Sequence, residues 1–125
     1  MRIMAILGAV LYGLAAQAHA ADPILLSFTA TWCPYCQVLK PTIENFKRAG
    51  YDVRIIEHTS PDIHGTGKSG EQMAESYGVT KLPALLLLSV DPNGKQRIMR
   101  LPTKEPDKLL GLMEAAGMQR KKPAP

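Results

Sequence analysis

Cysteine is nearly absent: this 125-residue chain has two, and both fall within Cys33-Pro34-Tyr35-Cys36. That excludes a fold stapled by several bridges. A bridge between these two closes almost no loop, so it removes little unfolded-chain entropy. The value of the pair is therefore chemical and not structural. A second pair of zinc ligands is missing as well. His58 and His64 could in principle complete a site, but they read more simply as polar loop residues, and no metal is assigned. Met73, Met99, Met113 and Met118 are scattered and outline no copper site.

Long apolar runs are also lacking. Residues 3–16 are uncharged and almost wholly apolar, too short a stretch for a comfortable membrane span. Arg2 precedes them, and Ala18-His19-Ala20 follows with small residues at both positions of an A-x-A cleavage site. That order is a secretory signal peptide over residues 1–20, with an uncleaved anchor as the alternative. It implies a periplasmic destination. Ala21 and not a cysteine directly follows the cleavage site, which argues against a lipoprotein. Cleavage would remove Arg2 and lower the formal charge from +4 to +3. What remains is one small domain over residues 21–118, with little apolar surface to spare. Residues 119–125 form a basic Pro-rich tail carrying Arg120, Lys121 and Lys122, read as disordered. No aromatic residues interleave with it to stack on bases, so no nucleic-acid partner is expected. Internal repeats are absent too.

Within the domain, residues 24–28 are an apolar run of strand length, suited to a central strand covered on both faces. From Pro34 to Ala49 the period becomes helical: Val38, Leu39, Ile43 and Phe46 against Gln37, Lys40, Glu44 and Lys47. Pro34 suits a first helical turn, Pro41 should bend the helix, and Gly50 should stop it. Residues 51–57 predict a second strand, parallel to the first across a right-handed crossover. Residues 58–70, with three glycines and Pro61, predict a loop. A short helix over residues 71–77 ends at Gly78. Residues 84–90 predict a buried strand, and Asp91-Pro92-Asn93-Gly94 turns it into an antiparallel partner over residues 96–101. A helix over residues 106–116 stops at Gly117. The order is β-α-β-α-β-β-α, an α/β domain with a four-stranded mixed sheet flanked by helices.

Strand, then C-x-x-C, then helix is the placement that favours redox chemistry. A thiol of pKa about 8.5 is mostly protonated at neutral pH, and only the thiolate attacks a disulfide. A helix N-terminus favours that anion through unpaired N–H groups and the positive end of the helix dipole. Cys33 therefore reads as the nucleophile, more exposed and more acidic. Cys36, one turn on, reads as the more buried resolving thiol that closes a Cys33–Cys36 redox disulfide. Pro34 and Tyr35 tune the site. Trp32 is either an apolar plug or a docking surface beside the nucleophile.

Residues 23–117 resemble the thioredoxin superfamily. The matching pieces are Leu25-Leu26-Ser27-Phe28, Thr31-Trp32-Cys33-Pro34-Tyr35-Cys36, Pro41, Tyr77-Gly78-Val79-Thr80-Lys81-Leu82-Pro83 and Asn93-Gly94-Lys95. The resemblance implies a thioredoxin-like fold without the extra N-terminal strand and helix of full thioredoxins. It further implies a cis-Pro83 facing the cysteines, and Leu82 pairing its backbone with substrate main chain. Two departures stand out. Ser27 occupies the place of a buried aspartate beneath the resolving cysteine, and Leu101-Pro102-Thr103 replaces a usual glycine. Cys-Pro-Tyr-Cys itself looks like glutaredoxins, yet Lys81-Leu82-Pro83 and Arg100-Leu101-Pro102-Thr103 do not match their glutathione-binding pattern.

The implied activity is thiol–disulfide exchange with exported proteins, with no cofactor beyond the cysteines. The implied partners are protein thiols and disulfides and a soluble or membrane redox protein, acting on a monomer. A non-enzymatic binding module of the same fold, and a protein that handles metal through its two thiolates, are the alternatives.

Overall fold

The computed structural model describes residues 22–120. The expected signal peptide over residues 1–20 and the end of the expected tail, residues 121–125, lie outside the described residues. Seven elements follow in the expected order: β1 (Ile24–Thr29), α1 (Pro34–Ala49), β2 (Val53–Glu57), α2 (Gly70–Ser76), β3 (Ala84–Val90), β4 (Gln96–Leu101) and α3 (Pro106–Ala115). The sheet order is β2-β1-β3-β4. β1 runs parallel to β2 and antiparallel to β3, and β4 is antiparallel to β3.

Successive strand residues point to opposite faces, and both faces of β1 are covered. Leu25 joins Leu85, Leu87, Leu39, Ile43, Leu109 and Met113 beneath α1 and α3. Leu26 and Phe28 join Ala84, Leu86, Ile56 and Ala74 beneath α2. β4 is the exposed edge, buried only at Leu101.

All three helices end alike. In α1 the Gly50 N–H donates to the Lys47 carbonyl and the Tyr51 N–H to the Phe46 carbonyl, both at 3.1 Å. Gly50 takes the left-handed φ of 105° that this Schellman closure needs. The Phe46 and Tyr51 rings meet edge-on with centroids 6.2 Å apart, a favoured aromatic arrangement. The same pair of bonds recurs at Gly78–Val79 and at Gly117–Met118.

Three element ends shift by one residue, β1 to Thr29, α2 to Ser76 and α3 to Ala115, and two starts differ for a visible reason. The second strand starts at Val53 and not at residue 51, because Tyr51 is spent on closing α1. The short helix starts at Gly70 and not at residue 71. Ser69 and Gln72 form a capping box there, with Gln72 N–H to Ser69 Oγ at 3.1 Å and Ser69 N–H to Gln72 Oε1 at 2.9 Å. The sequence carries that S-x-x-Q signature at Ser69-Gly70-Glu71-Gln72, although Gly70 by its type suggests a loop. α1 continues through Pro41 from Pro34 to Ala49.

Gly70 is buried, its N–H bound to the Ser60 carbonyl at 2.9 Å, and a Cβ there would run into the Glu57 carbonyl. Backbone cannot yield as a side chain can. Gly111, inside α3, has open space around it. Gly70→Ala is therefore expected to destabilise the fold by about 1–3 kcal/mol. Gly111→Ala is expected to stabilise it by up to about 1 kcal/mol, through lower unfolded-chain entropy and better helix propensity. Thermal melts of the two variants check the opposite signs.

Candidate active site

β1 delivers the chain into a tight turn. The Ala30 carbonyl accepts the Cys33 N–H at 3.2 Å and the Gln37 Nε2 at 3.1 Å, so the turn is tied to the first turn of α1. Cys33 is the N-cap of that helix. Its backbone is extended, and its Sγ accepts the Cys36 N–H at 3.2 Å. Pro34 stands in the first turn, where its missing N–H costs nothing. No acidic residue occupies that turn, so nothing local neutralises the positive end of the helix dipole. In the reduced pair the same N–H and dipole favour a thiolate on Cys33.

Cys33 and Cys36 are joined as a disulfide, with Cα atoms 5.2 Å apart. Both are buried, at 6% and 2% exposure. The expected contrast between an exposed and a buried thiol is thus reduced to a small difference. The reason is that Ala30 and Leu82 pack directly against the pair.

Trp32 is 63% exposed, which rules out its reading as an apolar plug. The space beside the cysteines is already filled by Ala30 and Leu82. The indole meets the His58 ring edge-on at 6.0 Å. His58 Nδ1 is buried without a hydrogen-bond partner among the described residues. His64 lies on the 58–69 loop at φ 50°. Among the described residues no group of three or more His, Cys, Asp or Glu could hold a metal ion.

The Leu82–Pro83 peptide bond is cis, and Leu82 packs on the cysteine cluster. The Tyr35 hydroxyl donates to the Thr103 carbonyl at 2.9 Å, tying the start of α1 to the connection after β4. Sequence reasoning passed over Glu57. Its Oε1 accepts the Thr31 N–H at 3.3 Å and the Thr59 hydroxyl at 3.1 Å, and so steadies the residue beside Trp32. No local pattern announces a contact across 26 residues.

Ser27 shares the α1 face of β1 with Leu25 and Thr29 and is the buried polar residue of the core. It borders a cavity of about 20 Å³ that also touches Cys36, Lys40, Ile55 and Pro83. That is room for about one water molecule. Lys40 is held near Glu44 at 3.9 Å, with its side chain largely in solvent.

Residues 14–116 match the family model of a thioredoxin-like domain. The chain belongs to the thioredoxin-like family. It is 30% identical over 94 residues to the thioredoxin of Chlamydia caviae, covering 75% of this chain and 82% of the relative. It is 30% identical over 98 residues to that of Chlamydia trachomatis, covering 78% and 86%. Among solved structures, the germline-specific thioredoxin Deadhead of Drosophila melanogaster superposes with a TM-score of 0.49 at 19% identity, over 86% of this chain and 90% of that one.

In this thioredoxin-like chain the cavity beneath Cys36 carries a hydroxyl where the resemblance leads one to expect a carboxyl. A carboxyl placed there would be desolvated, and its pKa would rise above the usual carboxylate range. The folded state would then hold the proton more tightly than the unfolded one. Stability of Ser27→Asp should therefore fall, relative to the parent, as pH rises from about 4 through the folded pKa. Melting curves of both proteins from acid to neutral pH check this; a constant gap would mean that the carboxyl is solvated.

Proposed function

We propose that the chain is an exported thiol–disulfide oxidoreductase that exchanges disulfides with protein substrates. One observation carries the reading: the Cys33–Cys36 disulfide caps α1 beside the cis Leu82–Pro83 bond. Family membership supports thiol–disulfide oxidoreductase activity in general. The export part of the proposal, with a periplasmic destination, is supported by the signal-peptide pattern of residues 1–20.

In the reducing direction, the Cys33 thiolate attacks one sulfur of a substrate disulfide. A Cys33–substrate disulfide forms, and the other substrate sulfur leaves as a thiolate that takes a proton. The Cys36 thiolate then attacks the Cys33 sulfur, releasing the second substrate thiol and forming the Cys33–Cys36 disulfide. Two electrons pass from the pair to the substrate, and a dithiol redox partner must restore them. The oxidising direction reverses each step. Leu82 would offer its backbone N–H and C=O for strand-like pairing with substrate main chain, a mode that tolerates many sequences. Exposed Trp32 would supply an apolar flank to the docked chain.

Cys33→Ala is expected to abolish insulin reduction and the refolding of scrambled substrates, because the attacking sulfur is gone. Cys36→Ala is expected to accumulate the mixed disulfide, visible on non-reducing gels. Full activity in Cys33→Ala would sink the proposal. Equilibration of the pair with glutathione buffers reads its potential and hence the favoured direction. Expression of the full chain followed by fractionation and mass measurement tests export; the expected product is periplasmic and begins at Ala21.

A further inference from the structure

On the β4 side of Pro83 lies an open cleft of about 670 Å³ that the exchange chemistry does not use. Three cations line it: Lys81 from the approach to Pro83, Arg100 from the end of β4, and Lys104 from the connection to α3. The antiparallel return of β4 brings them together. It sets Leu101 opposite Leu85, so the end of β4 lies beside the start of β3. Among the described residues, none of the three cations has a carboxylate within ion-pair distance. The acid among the lining residues, Glu105, is engaged by Lys108 at 2.5 Å. The cleft therefore presents unbalanced positive charge.

Its place matters as much as its sign. Pro83 lines both this cleft and the cavity touching Cys36. Thr103, on the cleft wall, accepts the Tyr35 hydroxyl from within the C-x-x-C. A polypeptide laid along Leu82 with its sulfur at Cys33 would pass the cleft within a few residues.

We propose that the Lys81–Arg100–Lys104 cleft selects protein substrates whose redox cysteine is flanked by acidic residues. The inference rests on the oxidoreductase reading above. Exposed charges of this kind act mainly on encounter and orientation, and salt screens them. They steer an acidic segment in and repel a basic one, while the sulfur chemistry itself is unchanged.

The test uses the reduced protein and three peptide disulfides identical except for acidic, neutral or basic residues beside the cysteine. At low ionic strength the expected order of second-order rates is acidic, neutral, basic. The span from acidic to basic should be on the order of ten-fold or more. At about 0.5 M salt the three rates should converge. K81E/R100E/K104E should reverse the order, and Arg100→Gln alone should shrink it. The salt series on the unaltered protein stands even if the triple variant folds poorly. If the neutral peptide is exchanged but the acidic one gains nothing, or if the spread survives high salt, the inference is overturned. If none of the three peptides is exchanged, the oxidoreductase reading itself fails.

Discussion

β1 has no solvent-facing side: Leu25 turns into the cluster under α1 and α3, and Leu26 and Phe28 into the cluster under α2. Packing on both faces leaves the strand little freedom to shift, since a one-residue slip would exchange its two faces. Its far end is therefore a firm point from which the turn at Ala30 and the helix N-cap at Cys33 are launched. β2 and β3 pair on either side of it, and β3 starts at Ala84 opposite Phe28, which sets Pro83 at the same end. The burial of one strand thus holds the disulfide and the cis-proline against each other.

That arrangement has a chemical consequence. The sulfurs are packed against apolar groups, Ala30 and Leu82, and the residue just before Cys33 is the exposed Trp32. Electrostatic support for a thiolate comes from the start of α1; the small cavity beneath Cys36 has the Ser27 hydroxyl and no carboxylate on its wall, and room for about one water. The positive end of the α1 dipole thus lies at the Cys33 sulfur, where it favours the anion.

Much of the fold was legible from local patterns. The three helix stops at Gly50, Gly78 and Gly117 were readable because a left-handed closure is a single-residue property. The hairpin was readable from Asn93-Gly94, where Gly94 adopts φ 82°. Local patterns also misled. Gly70 reads as a breaker by type, yet it opens α2, since close approach to the Glu57 carbonyl demands a residue without Cβ. Tyr51 reads as a strand residue by composition, yet its N–H closes the preceding helix.

The candidate site divides the same way. The cysteine pair, its seat at a helix start and the role of Pro34 follow from the sequence by itself, because they depend on residues within one turn of each other. The exposure of Trp32, the pinning of Thr31 by Glu57 and the meeting of Lys81, Arg100 and Lys104 were decided only by the tertiary structure. Each joins residues from separate strands and loops. No periodicity within one segment carries the register and direction of another, and those are what bring such groups together.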